Sequence, residues 1–374
     1  YDKMKARAQM KNKKIFFLDI FPPPDYLTAP VLCLDLSDKS LKYMEMRSKN
    51  GVISVRRFGL YAVEEGLIEK GEIKKKEKLI SFLKSIREKL KTELIMASLP
   101  EEEVFLSRIK FPLMDEDKIK EALSLQFEEY IPLPAAEAIF DYDIIKDPLE
   151  NKEPVHLHLN LAAFPRSFVE SYRDVFAGAG FIPAAFEMEV QSFARAVVPK
   201  EEMDNVMVID FGRTRTTFAV VSGGKVQFAI TVALAGEDVE KAFALHLKIG
   251  SSQIEAAKRD IGLIKRKGNK DLFESLKSVI SVIKDEAVKQ AAYWASQNED
   301  DKKNEKISKI ILCGGESTLA GLPEFLSYEL KMKVELGNPW VNAVSFEDYI
   351  PEIERRDSLA YSTVIGLALR PWVN

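Results

Sequence analysis

The chain has few of the residues that usually carry metal or redox chemistry. It contains two cysteines, Cys33 and Cys313, and three histidines, His156, His158 and His246, in 374 residues. The histidines make no ligand spacing with one another or with the cysteines, which argues against a Cys/His metal centre. Both cysteines sit in apolar strand-like runs, VLCL and IILC, and are expected to be buried free thiols of a reducing compartment. No apolar run reaches the roughly 18 residues of a membrane-crossing helix, and there is no secretory signal pattern. Positive charge is not in excess: the formal net charge is −4, which argues against general nucleic-acid binding. P-loop, Gly-x-Ser-x-Gly and His-Glu-x-x-His motifs are all missing.

What is present is an ordinary globular composition on a chain too long for one core, so two or more domains are expected. The basic stretch Lys3–Lys14 reads as a solvated arm, with a membrane-surface or partner contact as the other reading. Ile15–Pro30 is an apolar patch followed by a Pro-rich extended segment, read as an anchor folded onto the body or a linker. The chain opens on Tyr1 rather than Met, so further residues upstream are expected.

Two segments repeat one pattern. Val31–Glu45 (VLCLDLSDKSLKYME) and Val206–Val220 (VMVIDFGRTRTTFAV) each give an apolar strand, an Asp, a polar turn rich in hydroxyls and a second strand. Asp35 aligns with Asp210 and Ser37 with Gly212. A carboxylate at a buried strand end, beside exposed turn N–H groups, suits a metal-bound phosphate. Two such turns suggest two similar lobes facing one nucleotide.

Periodicity fills in the elements between them. Helices are predicted over Glu77–Lys91, Asp115–Tyr130 (with Asp115 as cap), Ser167–Gly178, Glu187–Val198, Gly236–Leu247, Gln253–Ile261 and Asp271–Gln297. Leu94–Leu99, Glu103–Lys110, Ile139–Ile145 and Leu157–Ala163 read as strands. Ser222-Gly223-Gly224 reads as a hairpin turn. The order β-α-β-β-α in the middle of the chain is that of a small α+β module.

Four groups of residues are candidates for one site. The first is Asp35 with Ser37, Ser40 and Lys42. The second is Asp210 with Gly212, whose missing side chain lets the backbone approach a phosphate, and with Thr214 and Thr216 as hydroxyl donors. The third is Gly314-Gly315 with Ser317, where a ring or ribose could lie against bare backbone. The fourth is Glu255 and Lys258, which share a helix face at i and i+3 and could offer a carboxylate to ribose hydroxyls and an alkyl stem to a base. Each group alone also fits a plain turn or a solvated ion pair; the order along the chain is what joins them.

That order resembles the actin-like ATPase superfamily. The implied fold is α/β, with two RNase H-like lobes around a nucleotide cleft. Asp35–Lys42 matches a first phosphate loop, Asp210–Thr217 a second, and Ile310–Gly321 an adenosine loop. Glu187–Ala196 and Ala360–Ala368 look like the connecting helices. The resemblance implies ATP with Mg²⁺, the ion held by Asp35 and Asp210 mostly through water. It implies catalytic roles for Glu189, which falls where a polar residue positions water, and for Asp210. Ser37 departs from the usual Gly, which narrows the first loop and argues against rapid turnover.

Within the superfamily, FEEYIPLP, FDYDII, LAAFPRSFVESYRDVFAGAGFIP, Leu60–Ile73, Ile254–Lys258 and Ser358–Arg370 resemble the PilM family of type IV pilus assembly proteins. This implies an FtsA/PilM-type α+β subdomain inserted over 93–183. The rest divides into an N-terminal arm and linker at 1–30, a first-lobe core at 31–92 and a connecting helix at 184–200. The second-lobe core covers 201–235 and 307–374, with a helical nucleotide-binding subdomain at 236–306. The implied function is a cytoplasmic ATP-binding scaffold, peripheral to the inner membrane. It clamps the N-terminal cytoplasmic peptide of a PilN-type membrane protein, with ATP closing the lobes and, at most, weak ATPase activity. The alternatives are a kinase or active ATPase of this fold, an FtsA-like filament-forming or membrane-recruiting ATPase, and a type II secretion scaffold; self-association is open. The closing LALRPWVN is expected to be too short for FtsA's membrane helix. Phe105–Phe111 and Phe127–Leu133 are read either as partner surface or as core.

Overall fold

The computed structural model describes residues 31–49, 52–145, 156–297, 306–344 and 346–372. The basic arm, the Pro-rich segment and most of the charged loop expected at 298–306 lie outside the described residues.

The first sheet is built on β1 (Leu32–Leu36), whose five residues are all buried. A strand covered on both faces needs no polar alternation, which is why LCLDL reads as continuously apolar but for its Asp. β2 (Ser40–Lys49) and β3 (Val52–Ala62) continue it as antiparallel neighbours. A short ribbon, β4 (Ile68–Glu69) and β5 (Glu72–Ile73), leads into helix α1 (Lys76–Leu90). α1 buries the stripe Leu79, Leu83, Ile86 and Leu90. β6 (Leu94–Leu99) then pairs parallel with β1.

A three-stranded sheet of its own follows, from β7 (Phe105–Pro112), β8 (Ala138–Ile145) and β9 (His156–Pro165), with β9 central. Helix α2 (Glu116–Tyr130) lays Ile119, Leu123 and Phe127 on it. Phe111, Phe127 and Ile131 belong to this core, so most of the aromatic groups weighed as partner surface are packing residues. Asp115 stands at the N-cap of α2, but its carboxylate makes no cap hydrogen bond and pairs with Lys118 at 2.7 Å instead. The module leans on the second lobe, where Asn160 Nδ2 donates to the Val226 carbonyl at 2.9 Å.

The chain returns through α3 (Arg166–Gly178) to β10 (Ile182–Met188), which joins the first sheet parallel to β6. β10 is a correction to the sequence reading, which placed no strand there and began a helix at Glu187. Its IPAAFEM carries little β propensity, and its identity comes from pairing with β6. Leu94–Leu99 falls within the stretch expected as the inserted module, 93–183, and Ile182–Met188 begins in it, yet both hydrogen-bond in the first sheet. Only Phe105–Pro165 forms a separate sheet.

Helix α4 (Glu189–Val197) connects to the second lobe. Its sheet holds β11 (Val206–Phe211), β12 (Thr216–Ser222), β13 (Lys225–Val232), β14 (Lys309–Cys313) and β15 (Lys333–Leu336). The β12–β13 turn has Gly223 and Gly224 at φ +55° and +74°, the left-handed pair a two-residue hairpin requires. Helices α5 (Gly236–Leu247), α6 (Ser251–Asp260) and α7 (Lys270–Gln297) stand between β13 and β14. Then come α8 (Leu322–Leu330), α9 (Arg355–Ser358) and α10 (Ser362–Leu369), the last of which packs on α4.

The two large sheets have the same wiring. One runs β3-β2-β1-β6-β10 and the other β13-β12-β11-β14-β15, each with three antiparallel strands followed by two parallel ones. Asp35 and Asp210 lie near the ends of the equivalent strands β1 and β11.

Candidate functional site

The turn after β1 is closed by Ser37 N–H donating to the Ser40 carbonyl at 2.8 Å. The hydroxyls of Ser37 and Ser40 lie 3.1 Å apart, so the two expected phosphate donors engage each other. Asp35 is 4% exposed. It accepts from Ser98 Oγ of β6 at 3.0 Å and faces Lys42 Nζ at 3.4 Å, its partner in the β1–β2 register.

The turn after β11 is closed in the same way. Gly212 N–H donates to the Arg215 carbonyl at 3.0 Å, and a Cβ at Gly212 would stand 2.9 Å from that oxygen. The head of α5 is tied to the same turn, with Gly236 and Glu237 donating to the Gly212 and Arg213 carbonyls. Cys313 takes the place beside Asp210 that Ser98 takes beside Asp35, with Sγ 3.8 Å from Oδ1. Thr214 is half-buried. Thr216 departs from expectation: its hydroxyl is fully buried and donates to the Leu234 carbonyl at 2.6 Å, which removes it from any phosphate. Loss of water pushes the Asp210 carboxyl above its ordinary range; Lys42 opposes this and Asp35 adds to it. Asp35 and Lys42 of the first turn thus both act on the Asp210 charge, and Arg215 acts on it from the second.

The third group lies against the second. Gly314 has φ +85°, and a Cβ there would sit 2.4 Å from both Asp210 Oδ1 and the Phe211 carbonyl. Gly315 has room, its added Cβ meeting only the Ala360 methyl at 3.6 Å. Ser317 is another correction: it is buried and its hydroxyl donates to the Gly314 carbonyl at 2.6 Å, bracing the turn rather than facing a ligand. Lys258 is 2% exposed and its ammonium meets Glu240 at 3.2 Å, Glu255 at 2.9 Å and Glu316 at 2.8 Å. Burial works to lower its pKa, but the Glu316 and Glu255 charges win and raise it. Its stem is thus not free to cover a base, and its ammonium fills the place a metal ion would take among the three carboxylates. Glu255 is exposed on its outer side, with one carboxylate oxygen 2.9 Å from the Lys258 ammonium.

A family model described as type IV pilus assembly protein PilM matches residues 33–372 of the chain. The chain belongs to the PilM family. A solved PilM–PilN type IV pilus biogenesis complex is similar over 91% of this chain and 98% of that one, with 22% identity and a TM-score of 0.71. MreB5 of Spiroplasma citri bound to ADP matches over 85% of this chain and 94% of its own, at 15% identity and TM-score 0.52. The AMPPNP-bound form of that protein gives the same figures. The two equally wired lobes and these neighbours place the chain in the actin-like ATPase fold. No helix among the described residues is long and apolar enough to cross a membrane.

Glu189 opens α4 directly after β10, and it is not free. Arg215 Nη2 lies 2.8 Å from both of its carboxylate oxygens, while Nη1 reaches Glu102 at 2.7 Å. Glu101 caps α4 by accepting from the Val190 N–H. Sequence reasoning singled out none of Arg215, Glu101 and Glu102. The signals were there: an acidic triplet directly after an apolar strand, and a second arginine inside the Asp210 turn. Burial first, then the Asp35 and Glu102 charges, raise the Glu189 pKa to about 7 against the pull of Arg215. Burial and the Glu189 charge also hold Glu101 well above the usual range.

A carboxyl whose folded pKa exceeds its ordinary 4.5 favours folding below that value and loses this contribution as pH rises through about 7. Glu189→Gln removes the titration. Its unfolding free energy relative to the parent should therefore rise between about pH 5 and pH 8, by roughly 3 kcal/mol. Urea unfolding at both pH values measures this, and a difference that does not change with pH would contradict it.

Proposed function

We propose that this PilM-family protein is an ATP-binding scaffold of type IV pilus assembly. The supporting observation is the placement of Asp35 and Asp210 at matching strand ends of two equally wired sheets, with the Asp35 and Lys42 charges both acting on Asp210. Two carboxylates and a set of turn amides are hard oxygen ligands and anion donors, the set that suits Mg²⁺ and phosphates. Asp35 and Asp210 would hold the ion through water. Gly212 would let the backbone approach the phosphates, and Gly314, Gly315 and Glu255 would receive the nucleoside. The ion would supply charge neutralisation of the phosphates. Hydrolysis would be slow, because both carboxylate oxygens of Glu189 are engaged by Arg215.

The partner would be the N-terminal cytoplasmic peptide of a PilN-type inner-membrane protein, which places the scaffold in the cytoplasm beside that membrane. Family membership and the similarity to a PilM–PilN complex support this. Calorimetry of MgATP tests the nucleotide reading: saturable binding is expected, weakened at least about tenfold by Asp210→Ala. Equal affinity in parent and variant would sink the site. Capture of the partner's N-terminal peptide by the full chain tests the other half, and failure to bind it would overturn the scaffold assignment.

A further inference from the structure

The charge cluster around Arg215 does more than occupy Glu189. Arg215 belongs to the second lobe, between Gly212 and β12. Its two ion-pair partners belong to the first. Glu189 follows β10 without a break, and Met188 before it pairs with Leu99 of β6. Glu102 lies in the turn that follows β6. One guanidinium therefore ties the turn after the second lobe's first strand to the ends of two first-lobe strands. The three side chains are 12%, 7% and 20% exposed, so water screens the contact little. A second ion pair across the cleft, Lys39 with Glu237 at 3.6 Å, is open to water on both sides and contributes little.

We infer that Arg215 is a latch that holds the two lobes closed without nucleotide. The geometry suits the task. Guanidinium is planar and always charged, and it offers separate N–H groups to two carboxylates, which a lysine ammonium does not do in a fixed plane. The charges that act on it from the first lobe are acidic: Glu189 and Glu102 in contact and Glu101 beside them; the buried Tyr172 hydroxyl and Asp210 of its own lobe also feel its charge. Glu101 Oε2 and Glu102 Oε2 have no hydrogen-bond partner among the described residues. Removing Arg215 leaves these carboxylates facing one another across a water-poor gap, and opening the lobes is how they regain water. Because a ligand shifts an equilibrium only by its differential affinity for two states, a cleft already latched has little left to close. The inference stands independently of the nucleotide reading.

Spin labels on Glu69→Cys and Lys241→Cys, one exposed site on each lobe, report the lobe separation in the full chain. Cys33 and Cys313 are buried and stay unlabelled. Without nucleotide, the parent should give a single narrow distance by pulsed electron resonance. Arg215→Gln should lose that narrow component and shift to longer distances. If Arg215→Gln fails to fold, the isosteric pair Glu102→Gln with Glu189→Gln removes both charged partners and should show the same loss. A broad distribution in the parent, or an unchanged narrow one in either folded variant, would overturn the latch. Absence of MgATP binding to the parent, with the distances of parent and variants as expected here, would count against the nucleotide site alone.

Discussion

Gly366→Ala is expected to cost about 3 kcal/mol or more of stability, read as a lower urea midpoint. Gly366 lies in α10, every residue of which is buried, where this helix crosses α4. An added Cβ would stand 1.7 Å from the Ser192 carbonyl oxygen and 2.5 Å from its carbon. Both atoms are backbone of α4, so no side-chain rotation relieves the contact and the helices must move apart. They are held from the other side as well. Arg195 of α4 donates to the Gly366 carbonyl at 2.9 Å, and Asn342 caps the end of α4 by donating to the Arg195 and Val198 carbonyls. The crossing also joins the lobes, because the core around it includes Val208 and Cys313 of the second sheet together with Leu34 and Ala97 of the first. Against a typical total of about 5–15 kcal/mol, such a loss is a large fraction. An unchanged urea midpoint would show that the helices do not meet this closely.

The second large effect concerns two adjacent glycines with opposite expected outcomes. Gly314→Ala places a Cβ at φ +85° and ψ 159°, a backbone region that by itself costs about 1–3 kcal/mol, and drives it to within 2.4 Å of Asp210 Oδ1 and the Phe211 carbonyl. The carboxylate most central to the proposed site must then move. MgATP affinity should fall by about a hundredfold or more, roughly 2.7 kcal/mol, with lower stability as well. Gly315→Ala meets only an ordinary methyl contact at 3.6 Å and should change stability by no more than about 0.5 kcal/mol. Calorimetry and urea unfolding on both variants decide the matter. Equal effects at the two positions would refute the close approach of the Gly314 backbone to the Asp210 turn.

Much of the cleft was legible because it is local. An Asp near the end of an apolar strand, a turn that needs glycine and a Gly-Gly after a buried strand are each written within a few residues, and turn chemistry acts at that range. The hydroxyls and charges were not legible in the same way. Thr216 and Ser317 carry the right groups, but Thr216 spends its hydroxyl on a carbonyl 18 residues away and Ser317 on its own turn. Lys258 and Glu255 do pair at i and i+3, yet Glu240 and Glu316 arrive from other elements and bury the lysine. β10 exists only because β6 is beside it.

By itself, the sequence determined the repeated strand–Asp–turn–strand unit, and with it the two lobes and the resemblance to the pilus-assembly family. Those features depend on backbone preferences and apolar pattern, which neighbouring residues set. The tertiary structure alone decided which polar groups face the cleft and which are spent inside it. Arg215 lies 113 residues from Glu102 and 26 from Glu189, and no local preference brings them together. What brings them together is the packing of one lobe on the other, which takes all three largely away from water and pairs both carboxylates with the same guanidinium.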